Sequence, residues 1–109
     1  MGSAYSEDIT GANTVNSTSN NHTTQKIFST NDTSLTITDS ITLSLGEQQT
    51  VHINAKNNGI VTIESGSSIT STASNAIQGK DQSGLTITNS GTISAGSSKA
   101  INLLNAQSS

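Results

Sequence analysis

The sequence predicts an all-β fold, a parallel β-helix (β-solenoid) of about three coils of 24–26 residues, and three observations carry that expectation. Four apolar positions recur three times: Leu35, Ile37, Leu43 and Val51; Val61, Ile63, Ile69 and Ile77; Leu85, Ile87, Ile93 and Ile101. The steps within each set are 2, 6 and 8 residues, and the sets begin 26 and then 24 residues apart. The apolar positions alternate with polar ones at a period of two, as in strands with one buried face. Turn residues separate the alternating stretches, and the chain has no Pro to interrupt a ladder. With 29% hydrophobic residues, scattered apolar groups would leave the chain disordered. A solenoid needs only its inward positions to be apolar, because each coil buries its core against the next.

Residues 1–26 carry the weakest pattern and are expected to form an irregular segment, a degenerate coil or a cap. Their aliphatic candidates, Ile9 and Val15, are six apart, matching one step of the quartet. Ile27 precedes Leu35 by eight, as Ile77 precedes Leu85, so regular coils are expected from there, over residues 27–109. The first strand of each coil brackets a Thr: Leu35-Thr36-Ile37, Val61-Thr62-Ile63 and Leu85-Thr86-Ile87. β-Branched residues dominate these positions and do not recur at helical spacing, which argues against an amphipathic helix. The second strand centres on Leu43, Ile69 and Ile93. The third begins at Val51, Ile77 and Ile101, with the alternation lost at Gly79. Asp39-Ser40, Ser65-Gly66, Asn89-Ser90-Gly91, Asn57-Asn58-Gly59 and Ser83-Gly84 supply the corners. The two-residue difference between the periods is expected between Ile53 and Val61, where a loop can bulge outward. Ala76 and Ala100, each preceding a fourth apolar position, suggest a tight corner.

Composition removes several functions. The net charge is −3, with Lys26, Lys56, Lys80 and Lys99 scattered, no Arg, and Tyr5 and Phe28 as the aromatics. Nucleic-acid binding needs a clustered basic footprint with stacking groups, so no nucleic-acid partner is expected. No run approaches the roughly 20 apolar residues of a membrane-spanning helix, and the opening Met1-Gly2-Ser3-Ala4-Tyr5 is not a signal segment. Zero Cys excludes a disulfide framework and thiolate metal sites. His22 and His52 have no clustered carboxylates, so no metal or cofactor site is expected. His52 lies between inward Val51 and Ile53 and reads as a solvated outer-face residue. The eight residues after Ile101 form no evident cap, which predicts an open final coil and, with it, continuation or self-association.

The stretch Gly84-Leu85-Thr86-Ile87-Thr88-Asn89-Ser90-Gly91-Thr92-Ile93, followed by Ser98-Lys99-Ala100-Ile101, resembles the repeated coil of bacterial autotransporter passenger domains. Gly59 to Ile69 with Asn75-Ala76-Ile77 is a looser copy, and the resemblance covers residues 35–103. It implies a right-handed, pectin-lyase-like β-helix, exported and displayed on the Gram-negative outer membrane. The implied function is structural, in adhesion, virulence or self-association, with a host receptor, a glycan or a second copy as partner. An inert stalk for a further domain is one alternative. A polysaccharide-acting enzyme and an ice-binding solenoid are others.

Neither catalytic residues nor a ligand-binding site emerge from the sequence, and no enzyme is expected. Asp39 and Glu64, 25 apart, fall at neighbouring corners, the nearest approach to a paired-carboxylate arrangement. They read as separate surface acids. Thr36/Thr38, Thr62/Glu64 and Thr86/Thr88 are expected to stack on one outer face, and Thr42/Ser44, Ser68/Thr70 and Thr92/Ser94 on another. Asn16-Ser17-Thr18, Asn21-His22-Thr23 and Asn31-Asp32-Thr33 match the glycosylation sequon, a frequent chance occurrence in so polar a chain.

Overall fold

A computed structural model describes residues 6–19 and 21–108; the opening segment with Tyr5 lies outside the described residues. The chain is an all-β parallel β-solenoid of about four turns, with no helix among the described residues. Its strands are β1 Ser6–Ile9, β2 Ala12–Val15, β3 Gln25–Phe28, β4 Ser34–Ile37, β5 Thr42–Leu45 and β6 Val51–Asn54. They continue with β7 Ile60–Ile63, β8 Ser68–Ser71, β9 Ile77–Lys80, β10 Thr86–Asn89, β11 Thr92–Ala95 and β12 Ile101–Leu104. Three parallel sheets wall the coil, in the orders β1-β3-β6-β9-β12, β2-β4-β7-β10 and β5-β8-β11. Each four-residue strand turns two side chains inward, so the apolar quartets of the sequence become columns running along the stack. Leu35, Ile37, Leu43, Val51, Val61, Ile63, Ile69 and Ile77 are all fully buried there. Ile9 on β1 and Val15 on β2 join the same core, so strands begin at Ser6, ahead of the expected start.

Two register findings correct the expected alignment. In β10, Ile87 and not Leu85 occupies the column of Val61, and Asn89 that of Ile63. The 26-residue step therefore persists into the last coil on this sheet, while Ile93 and Ile101 follow Ile69 and Ile77 at 24. The missing pair of residues comes out of the corner between β10 and β11, which is Ser90-Gly91 alone. The corresponding corners are 38–41 and 64–67. The corner between β6 and β7, where slack was expected, keeps the length of its counterpart after β9. Gly91 is what makes the shortcut feasible: a Cβ there would lie 2.0 Å from the Ser67 carbonyl oxygen. Leu85, released from the strand, packs at the corner beside Gly59 and Phe28.

The second correction concerns β3. Lys26 aligns with Val51 and Phe28 with Ile53, which turns Ile27 outward beside His52. The phenyl ring of Phe28 fills space left by Gly59, whose added Cβ would meet it at 3.1 Å. Seating the larger apolar group inward outweighs burial of Ile27 and brings Lys26 inside. The corners hold their own ladder. Asn31 Oδ1 accepts from Asn57 N and Asn57 Oδ1 from Ser83 N, while Asn58 Nδ2 donates to Asp32 Oδ1. Asp32, Asn58 and Gly84 share one column of left-handed backbone, with φ of 62, 59 and 70°. Asn, Asp and Gly tolerate that region best, which accounts for the corner composition.

Candidate functional site

The outer faces carry rows of hydroxyls. On the β2-β4-β7-β10 sheet the strand pairing aligns Thr14, Thr36, Thr62 and Thr88 in one row. The expected pairing of Thr86 with Thr36 is thereby corrected by two residues; Thr86 stands beside Ile60, which is 45% exposed. On the β5-β8-β11 sheet, Thr42-Ser68-Thr92 and Ser44-Thr70-Ser94 stack as the sequence suggested. Asp8, Ile27, His52, Gln78 and Asn102 form the outward row of the remaining sheet.

His52 is outward but not fully solvated. Its Nδ1 is buried without a hydrogen-bond partner among the described residues, and desolvation holds the imidazole below its usual pKa. The ring nitrogen Nε2 of His22 lies 2.9 Å from the Asn16 carbonyl oxygen. Asp39 and Glu64 do sit at corresponding corners of adjacent coils, yet each carboxylate turns to the coil before it. Asp39 Oδ2 accepts from the Ser17 amide and hydroxyl, and Glu64 Oε1 from the Thr38 hydroxyl. Their separate partners make them corner staples, with no shared position for an acid and a base to flank a substrate. Of the sequons, Asn16 Oδ1 accepts from Thr18 N, Thr18 Oγ1 and Ser19 Oγ within its own turn. Asn21 spends its amide on Glu7.

The densest polar cluster lies at the start of the stack. The inward column of the longest sheet runs Glu7, Lys26, Val51, Ile77, Ile101, so its first two members are charged. Lys26 is 1% exposed. Its Nζ donates to Glu7 Oε1 at 2.6 Å, the Asn21 carbonyl oxygen at 2.7 Å and Thr24 Oγ1 at 2.5 Å. Three oxygens around the ammonium offset the loss of its hydration. Glu7 also accepts from Asn21 Nδ2, at 2.9 Å to Oε1, and from Thr24 Oγ1 at 3.4 Å. The Lys26 ammonium holds the Glu7 carboxyl below the usual carboxylate range, against the opposing pull of desolvation. No sequence signal marks this cluster, since its members are separated by 14 and 5 residues in a stretch without repeats.

Elsewhere, an open depression of about 600 Å³ is lined by Thr23 and residues 44–48, with Glu47 as its one charged group. Among the described residues no three His, Asp or Glu side chains gather in a form that could hold a metal ion. Among them, too, no helix is long and apolar enough to cross a membrane. Searches of protein-family models, curated proteins and solved structures give no match to this chain.

Proposed function

We propose that this chain is a β-solenoid section of an exported bacterial surface protein and works without catalysis, in adhesion and self-association. The observation that carries the reading is the contrast between the ends and the sides of the stack. Around the sides, rows of Thr, Ser and Asn offer many weak hydrogen-bonding positions for a glycan or receptor. At the last coil, the inward residues Ile87, Ile93 and Leu103 are only partly covered, and Ile101 is 42% exposed. Beside them run the outer edges of β10, β11 and β12, which pair with no further strand among the described residues and which another coil, such as that of a second copy, can extend. The resemblance of residues 84–101 to autotransporter coils supports export and surface display, and with them the right-handed winding of that family.

Sedimentation velocity across a dilution series, run with a glycan array on the same preparation, tests the reading. Association that rises with concentration and is lost in Ile101→Lys supports it, as does saturable binding to a defined glycan. A strictly monomeric protein that binds no glycan would sink it. The single Thr row does not favour ice binding, because Ile60 and Glu64 interrupt the neighbouring rows on the same face.

A further inference from the structure

The Glu7, Asn21 and Lys26 cluster holds three groups of complementary reactivity: an amine, a carboxamide and a carboxylate bonded to both. Lys26 Nζ and Asn21 Nδ2 both donate to the same oxygen, Glu7 Oε1, at 2.6 and 2.9 Å, so amine and amide sit within two hydrogen-bond lengths of each other. The amine is also anchored on the Asn21 backbone carbonyl at 2.7 Å. Asn21 Oδ1, the oxygen of the electrophilic carbonyl, is buried and has no hydrogen-bond partner among the described residues. A simple buried ion pair needs neither the side-chain amide nor an orphaned carbonyl beside it, and unpaired buried polar atoms are costly.

From this juxtaposition we infer that Lys26 and Asn21 react with each other in the folded chain, forming an intramolecular isopeptide bond with Glu7 as the proton carrier. Lys26 Nζ gives a proton to the Glu7 carboxylate, and its freed lone pair attacks Asn21 Cγ. In the tetrahedral adduct Glu7 delivers that proton to Asn21 Nδ2. The Cγ–Nδ2 bond then breaks and the carbonyl re-forms. The attacking nitrogen sheds its remaining surplus proton through the same carboxylate, so the products are one Nζ–Cγ amide and one ammonium ion. No oxidant, reductant or added reactant enters. Proximity is the main source of rate, since the fold holds amine and amide together with neither free to leave. Glu7 is a weak base while paired with Lys26, so the bond forms slowly after folding, not during it. Its product replaces a buried charge by a neutral amide and closes residues 21–26 into a covalent ring.

Intact mass and denatured tryptic digestion of the aged, folded protein test the inference. The wild type is expected to lack the mass of one ammonia and to resist cleavage after Lys26, yielding a joined peptide that spans residues 1–56. Glu7→Gln and Lys26→Arg are expected to keep the full mass, with the circular dichroism of each verifying the fold. Asn21→Asp provides a second route: its cross-link forms with loss of water in place of ammonia. Full mass with normal cleavage after Lys26 in folded wild type would overturn the proposal. Ammonia loss with Lys26 still cleaved would overturn it too, because that outcome marks a cyclic imide at an Asn. A cross-link that survives in Glu7→Gln would overturn the proton-carrying role of Glu7.

Discussion

Replacing Gly91 by Ala is expected to loosen the last coil while leaving the rest of the stack intact. An added Cβ would stand 2.0 Å from the Ser67 carbonyl oxygen and 2.8 Å from that of Glu64, whereas ordinary van der Waals contact begins near 3.4 Å. Both obstacles are backbone, so no rotamer change relieves them and the two-residue corner must lift by more than an ångström. Lifting it strains the bonds from Ser90 N to Ile63 O at 2.8 Å and from Thr92 N to Ser67 O at 3.0 Å. Such a bond contributes about 1 kcal/mol net, so weakening both by half costs about 1 kcal/mol, and overpacking adds about 1–3 kcal/mol, for a total of about 2–4 kcal/mol. Coils interact with nearest neighbours only, so the loss is local and hydrogen exchange is the suitable assay. Amides of β10, β11 and β12 should lose about 30-fold or more in protection, while those of β4 to β6 stay unchanged. Gly46→Ala is the control, since a Cβ there meets nothing within 4 Å and the backbone is not left-handed. Equal protection in Gly91→Ala and Gly46→Ala would refute the dependence of the shortened corner on a glycine.

Phe28→Ala removes a ring that is 1% exposed and spans the gap beside Gly59, and should cost about 3–5 kcal/mol in urea unfolding. Before the Lys26–Asn21 bond forms, in freshly folded protein, acid should weaken the first coil through Glu7. Its carboxyl is depressed in the fold, so its contribution is present above the ordinary value of 4.5 and lost as pH falls through the lower folded value. Glu7→Gln should flatten that limb of a stability-against-pH curve. His52 acts at higher pH with the same direction of loss. Its folded pKa is also depressed, so stability is full above the ordinary 6.5 and declines as pH falls toward the folded value. His52→Gln should abolish this step, which thermal unfolding at a series of pH values would read.

The sequence made the solenoid legible because core positions in a stack repeat and nothing else has to. Leu43, Ile69 and Ile93 fell into one column as their spacing predicts. Leu85 misled for a physical reason: Leu85-Thr86-Ile87 alternates as well as Ile87-Thr88-Asn89 does, and only the Gly91 shortcut chooses between them. Ile27 misled because Lys26-Ile27-Phe28 offers two faces, and the space beside Gly59 selects the face bearing Phe28. Gly79, where alternation lapsed, is also a matter of packing, since the buried side chain of Gln82 occupies the room a larger residue would take. The cluster around Lys26 was illegible for the opposite reason. It is a single event at one position of the stack, and periodicity carries no information about single events.

That polar beginning gives the proposed self-association a direction. One column passes from Glu7 and Lys26 to Val51, Ile77 and Ile101, hydrophilic at one end and apolar at the other. Stacking the described coils of two copies head to tail would press the half-exposed Glu7 carboxylate onto Ile101, stripping its water without supplying a partner. Joining last coil to last coil instead covers Ile101, Ile93 and Leu103 with their own equivalents and pairs the free edges about a two-fold axis. Such a contact closes on itself and stops at a dimer, whereas head-to-tail contacts would grow into filaments. Donor- and acceptor-labelled copies distinguish the two, with the labels on Leu104→Cys or on Asp8→Cys, both exposed positions. Energy transfer is expected to be stronger between Leu104 sites than between Asp8 sites, which a two-fold contact holds farther apart by about eight strand spacings of ~4.8 Å. Equal transfer between Leu104 sites and between Asp8 sites, as a head-to-tail translation gives, with fibres by electron microscopy, would refute the two-fold arrangement.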